Sequence, residues 1–197
     1  MAEVLIVPTG TANVASVKAA FGRLGADTRL SLDPSEIEGA SHVMLPGVGA
    51  FAAARGQLVQ GGADAALERR IAADRPTVCI CVGHQLLFET SDESPGVRGL
   101  GVVPGHVGRF PDGVRVPQFG WNEVRAPEGS MLLEDGYAYF ANSYRATAAP
   151  GFEVATAEHG GSFVAAMARG NLLACQFHPE LSGFYGEAIL SRFLELA

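Results

Sequence analysis

The stretch Thr77-Val78-Cys79-Ile80-Cys81-Val82-Gly83-His84-Gln85-Leu86-Leu87-Phe88 governs how the rest of this 197-residue chain is read. After Pro76, residues Thr77 to Cys81 form a short apolar run rich in β-formers. The run breaks at Gly83, and the pattern through Gln85, Leu86, Leu87 and Phe88 predicts a helix. A strand that turns sharply into a helix holds the residue at the turn on its tip, the geometry of a nucleophile elbow. Cys81 occupies that tip. A helix that begins just beyond a thiol favours the thiolate, because the positive end of the helix dipole faces the sulfur. The plainer alternative makes Cys79 and Cys81 small buried strand residues without chemistry.

A second stretch, Ala174-Cys175-Gln176-Phe177-His178-Pro179-Glu180, favours the chemical reading. A thiolate nucleophile needs a base that takes its proton and later protonates the leaving group, and the base needs an orienting acceptor. His178 and Glu180 suit those roles. In an extended chain, positions two apart point the same way, and Pro179 restricts the backbone between them. Either stretch alone is weak, whereas the two together are specific.

Cys81 within a C-x-G-x-Q pattern and Phe177-His178-Pro179-Glu180 together resemble the class I, triad-type glutamine amidotransferases. Three further stretches narrow the resemblance to glutaminase subunits of imidazole glycerol phosphate synthases. They are Leu45-Pro46-Gly47-Val48-Gly49-Ala50-Phe51, Val116-Pro117-Gln118-Phe119-Gly120-Trp121-Asn122 and Tyr139-Phe140-Ala141-Asn142-Ser143-Tyr144. The resemblance covers nearly the whole chain from about Val4 to the final helix.

The resemblance implies hydrolysis of L-glutamine to glutamate and ammonia, with Cys81, His178 and Glu180 as catalytic residues. It makes Gly47, Val48 and Gly49 an oxyanion strand that, with the Val82 N–H, holds the negative oxygen of the tetrahedral intermediate. It places Gln85, Glu93, Asn142, Ser143 and Tyr144 on the amino-acid end of glutamine. No cofactor and no metal are implied. The implied partner is a (β/α)8-barrel cyclase subunit in a heterodimer that makes imidazole glycerol phosphate and an aminoimidazole carboxamide ribonucleotide in histidine biosynthesis. Five positions depart from the family pattern: Pro8 replaces the usual Asp, Cys79 a Gly, His84 a Met, Asn142 a His and Leu181 a Lys. The last two fall where the partner is expected to dock.

Length and composition agree with one domain of ordinary size spanning residues 1–197. Hydrophobic residues make up 48% and charged residues 18%, which excludes a disordered chain. A net charge of −7 gives no footprint for nucleic acid or a membrane surface. Without a bilayer-length apolar run or a basic, apolar leader, the expected location is cytoplasmic. Three cysteines, two in one strand, make no disulfide framework.

Along the chain, Val4 to Val7 reads as a buried parallel strand, and Pro8 to Ala12 as a loop. Asn13 can cap a helix carrying Val14, Val17, Phe21 and Leu24, which Gly25 ends. Thr28 to Leu32 is a second strand, Asp33-Pro34 opens a short helix through Ile37, and His42 to Leu45 is a third strand. This alternation predicts an open, mainly parallel sheet flanked by helices, flavodoxin-like, with added strands. Strand three runs into Pro46-Gly47-Val48-Gly49, whose two glycines let the backbone approach a ligand closely. In such sheets ligands sit at the carboxyl ends of the strands.

Residues 52–73 read as helix, broken near Gly61-Gly62, and Glu89 to Gly101 as a loop. Short strands are expected at 102–110, 137–141, 152–157 and 163–167. Trp121 fits either a core plug or an interface anchor. Leu172 to Phe177 is a core strand ending at His178, and the tail from Tyr185 is an amphipathic helix. Three other readings remain open: an amidotransferase for another acceptor, a catalytically silent regulatory subunit on the same fold, and an α/β-hydrolase or cysteine peptidase. The last leaves the Gly-Val-Gly stretch and the two distal motifs unexplained.

Overall fold

The computed structural model describes residues 2–10 and 13–197; Thr11 and Ala12 of the expected loop at 8–12 lie outside the described residues. The first half alternates as the pattern requires. It runs β1 (Glu3–Ile6), α1 (Val14–Arg23), β2 (Asp27–Leu30), α2 (Pro34–Gly39) and β3 (His42–Leu45). Asn13 caps α1 by accepting from the Ser16 N–H, and Asp33 caps α2 from Ser35 and Glu36, with Pro34 in the first turn. α3 (Phe51–Gly61) and α4 (Ala63–Ala72) are separated at Gly62, whose φ of +71° no β-carbon residue adopts without strain. Arg70 of α4 is buried, and its guanidinium donates to the carbonyls of Ile37, Ala40, Ser41 and Pro76. That network satisfies chain ends that would otherwise be orphaned where β3 and the next strand begin.

The elbow follows as β4 (Thr77–Ile80) and α5 (Val82–Leu86). Here the structure corrects the sequence reading. The helix stops at Leu86, and Phe88 opens a strand, β5 (Phe88–Ser91), inside what was expected to be helix and loop. Phe88 is fully buried and pairs with Val103 of β6 (Val103–Arg109), a partner 15 positions along the chain. Long-range pairing overrides local helical pattern here.

The second half contributes β7 (Gln118–Val124), β8 (Gly136–Asn142), β9 (Tyr144–Arg145), β10 (Glu153–Glu158), β11 (Ser162–Arg169) and β12 (Leu172–Cys175). A 3-10 turn (Pro179–Leu181) and α6 (Gly183–Leu194) end the fold. β7, absent from the sequence reading, pairs antiparallel with β8 from Gln118↔Asn142 to Val124↔Gly136. Its pattern is inverted: Phe119 and Trp121 are exposed while Gln118 is buried, so it lacks the apolar-inward signature of a half-buried strand.

The main sheet has the order β10-β11-β12-β4-β3-β1-β2. β12, β4, β3, β1 and β2 run parallel, and β10 and β11 extend the sheet antiparallel. β3, β4 and β12 are buried at every residue, as parallel strands covered on both faces must be. Helices flank the sheet: α1 meets α6 through Phe21 and Phe193, 6.3 Å between ring centroids. Because β3, β4 and β12 are adjacent and parallel, their carboxyl ends release Pro46, Cys81 and Phe177-His178 at one edge. Among the described residues no helix is long and apolar enough to cross a membrane.

Candidate active site

Cys81 sits between β4 and α5 with φ +52° and ψ −108°, a backbone state that non-glycine residues rarely hold. Such strain costs about 1–3 kcal/mol and persists only where the surroundings impose it. They do so here: the Cys81 N–H donates to the Cys175 carbonyl at 2.7 Å, and the Cys81 carbonyl accepts from Gln85 N–H at 3.0 Å. Two glycines make the turn possible. A β-carbon on Gly83 would lie 2.2 Å from the Leu45 carbonyl oxygen, and one on Gly47 would lie 2.6 Å from Val82 Cβ. The chain after β3 and the start of α5 therefore pack backbone against backbone.

His178 is held by its own backbone. Its N–H donates to the Tyr139 carbonyl at 2.9 Å, while Ser182 Oγ donates to the His178 carbonyl at 2.6 Å and accepts from Tyr139 N–H at 2.9 Å. His178 Nδ1 lies 2.8 Å from Glu180 Oε1, with both side chains buried. The strand alternation expected to align them is not what does so. The chain leaves the extended form at Pro179, and the 3-10 turn brings the carboxylate back beside the ring. His178 and Cys81 line the same cavity. Burial by itself lowers the imidazole pKa, but the interactions with Cys81 and Glu180 outweigh it and raise it to about 10. Glu180 and Cys81 together thus favour the protonated imidazole. The other two thiols are unsuited to attack: burial pushes Cys79 up to about 12, and burial with the Glu180 charge pushes Cys175 up further.

Cys81 and His178 open onto a cavity of about 230 Å³, also lined by Val48, Gly49, Val82, Gln85, Glu93, Ala141, Asn142, Ser143 and Tyr144. That is below the range of about 300–1,000 Å³ common for drug-sized ligands and suits a single amino acid. Every candidate site residue from the sequence lies on this wall except Gly47, packed against Val82, and Glu180, behind His178. Glu93 Oε2 accepts from the Phe51 N–H at 2.7 Å and so caps α3, whose N-cap Ala50 has no capping side chain. The Tyr144 carbonyl accepts from both Gln85 Nε2 at 3.3 Å and Asn142 Nδ2 at 3.0 Å. The Val82 N–H donates to the Gly47 carbonyl at 3.4 Å, and Gly49 holds φ +107°. Sequence reasoning missed Gln176. It is fully buried, with Nε2 3.8 Å from Cys81 Sγ. The strand period could have found it, since it stands two positions before His178. Among the described residues no group of three or more His, Cys, Asp or Glu could hold a metal ion.

Beside the site the β7–β8 hairpin carries an apolar face. Phe119 is 71% exposed, Trp121 58% and Tyr137 60%, with Leu181 and Phe184 also exposed. Phe119 and Trp121 set their rings edge-on to Tyr139, at 5.6 and 6.2 Å. Trp121 is therefore no core plug. His84, where the family usually has Met, is wholly buried, edge-on to Phe88, and burial lowers its pKa to about 3, which keeps it neutral.

Residues 9–196 match the family model described as glutamine amidotransferase class-I. The chain is 41% identical over 196 residues to the imidazole glycerol phosphate synthase subunit HisH of Methanothermobacter thermautotrophicus, covering 98% of each. It is 42% identical over 201 residues to the chloroplastic imidazole glycerol phosphate synthase hisHF of Arabidopsis thaliana, and this match covers 97% of the chain but 34% of the relative. Among solved structures, a glutamine amidotransferase superposes with TM-score 0.78 at 23% identity, covering 97% of both chains, a likeness of fold. A full-length family match and relatives near 40% identity, on a fold whose three adjacent strands deliver Cys81 and His178 to one small cavity, lead to one conclusion: the chain belongs to the class I glutamine amidotransferases.

Proposed function

We propose that the chain is the glutaminase subunit of an imidazole glycerol phosphate synthase, hydrolysing L-glutamine and supplying ammonia to a cyclase partner for histidine biosynthesis. The observation that carries the chemistry is the Cys81–His178–Glu180 set on an amino-acid-sized cavity. The full-length relatives named HisH support the particular synthase.

Cys81 Sγ attacks the side-chain amide carbon of glutamine, and the tetrahedral oxyanion is held by backbone N–H groups of Val82 and of the 47–49 segment. His178 gives its proton to the departing ammonia, leaving a γ-glutamyl thioester. Water then loses a proton to His178, attacks the thioester, and releases glutamate and the Cys81 thiol group. Glu180 keeps the ring in register and stabilises its cation. Gln85, Glu93, Asn142, Ser143 and Tyr144 hold the amino-acid end.

Ammonia released into neutral water becomes ammonium, which is not a nucleophile, so release is productive only against a receiving enzyme. The Phe119–Trp121–Tyr137 face is the surface for a (β/α)8-barrel cyclase in a heterodimer. Aromatic anchors of this kind dominate binding energy in protein interfaces. Trp121→Ala should raise the Kd for the cyclase at least about tenfold, measured by calorimetric titration, and an unchanged Kd would move the interface elsewhere.

The hydrogen bond from Val82 N–H to the Gly47 carbonyl occupies an oxyanion donor. A single such donor is worth about 10²–10³ in rate. The lone chain should therefore release glutamate about 10²–10³-fold more slowly than the cyclase complex with its nucleotide ligand bound. Partner binding would favour the peptide orientation that frees Val82. Steady-state glutamate release is the measurement, by the chain alone, with cyclase, and with cyclase plus ligand. A lone chain running at the full rate of the complex would exclude the gate while leaving the catalytic set intact.

A further inference from the structure

We infer that Gln176 is a further catalytic residue, whose side-chain amide N–H donates to the Cys81 sulfur and selects its thiolate form. The inference rests on the reading of Cys81 as the nucleophile. The orientation of the Gln176 amide follows from its neighbours. The Tyr144 carbonyl can only accept, so the group of Gln85 that meets it at 3.3 Å is the donor Nε2. The same Gln85 Nε2 lies 3.0 Å from the other amide, so Gln176 must present its acceptor, Oε1, on that side. Its remaining group, Nε2, then faces Cys81 Sγ at 3.8 Å. A main-chain carbonyl thus fixes two amides in series, and the last one points a donor at the nucleophile.

A donor at that place has a definite effect. A thiol accepts hydrogen bonds weakly, whereas a thiolate accepts them strongly, so a fixed N–H lowers the free energy of the charged form. Water does not compete on the amide's side of the sulfur, because Gln176 is fully buried and Cys81 is 95% so. The donor also costs no reorganisation on reaction, since the Gln176 N–H donates to the Ala165 carbonyl at 2.8 Å and locks its backbone. Gln85 is on the cavity wall, so the residue placed to grip substrate and the sulfur that attacks it share one rigid chain of amides.

The test is the pH dependence of Cys81 alkylation by iodoacetamide, followed by peptide mass spectrometry on the full-length chain. Wild type is compared with Gln176→Met, which keeps the volume and removes the donor, and with Gln176→Glu. In Gln176→Glu, Gln85 keeps its acceptor but the sulfur meets a carboxylate. The pH midpoint of alkylation should rise by about one to two units in Gln176→Met and further in Gln176→Glu. The alkylation rate near neutral pH should fall at least about tenfold. Thermal melts of both variants show which are folded, and either one alone suffices. A purely structural role would shift the melting temperature and leave the midpoint in place. Equal midpoints in all three proteins, with Cys81 labelled, would overturn the role of Gln176 alone. Labelling of Cys79 or Cys175 in place of Cys81 in wild type would overturn the nucleophile reading and this inference with it.

Discussion

Cys81→Ala should abolish glutamine-dependent synthesis by the complex, with glutamate release falling on the order of 10⁴–10⁶-fold. Ammonia-dependent synthesis by the cyclase should continue at its wild-type rate, because nothing in that reaction needs the thiol. The magnitude follows from covalent catalysis, since without the sulfur no thioester forms and only the cavity and its backbone donors remain. Alanine keeps the β-carbon, so the backbone strain at φ +52° is unchanged and only the small thiol is lost; the fold should tolerate it, and a thermal melt checks this. Wild-type glutamate release from Cys81→Ala would sink the assignment. A glutamine-analogue alkylator should label Cys81 and spare Cys79 and Cys175, whose thiols burial holds in the protonated form.

His178→Asn should cost nearly as much as Cys81→Ala, since members of a catalytic unit are not additive. Glu180→Gln should cost less, about 10²–10⁴-fold, because Glu180 orients the ring and transfers no proton. His178 also predicts a pH dependence of stability. Its folded pKa, about 10, lies above the ordinary 6.5, so the native chain retains a proton that the unfolded chain releases. The stability this confers is fully present below pH 6.5 and is lost as pH rises through about 10. The difference in unfolding free energy between wild type and His178→Asn should therefore be largest near pH 6 and shrink towards pH 10. Denaturant titrations at the two pH values measure it, and a difference that grows with pH would contradict the imidazolium at this site.

The parts of this protein legible without coordinates are those carried by local pattern. Apolar runs such as Val4 to Val7 and His42 to Leu45 are buried on both sides in a parallel sheet, so continuous hydrophobicity announces them. Asn13 and Asp33 announce helix starts because capping is satisfied within three residues. Cys81 before Gly83 and His178 before Pro179-Glu180 are readable because elbow and turn chemistry admit few residue types.

Where partners lie far apart in sequence, local pattern fails. Phe88 reads as helix yet pairs with Val103, and β7 gives no strand signal because its aromatics face outward and one of its two buried positions is Gln118. Glu93 is expected on the amino-acid end of glutamine, and its cap on α3, whose first residue lies 42 positions earlier, has no local signal. The sequence by itself determined the alternating α/β order and singled out Cys81, His178 and Glu180, which the fold brings together, because the local signals of elbow and turn lie within a few residues. Only the tertiary structure decided that β3, β4 and β12 lie side by side, that Gly47 covers the Val82 N–H, and that Gln176 aims its amide at Cys81. Those are contacts between strands remote in the chain, and burial in a shared core offsets the entropic cost of closing the long loops between them, which no window of sequence records.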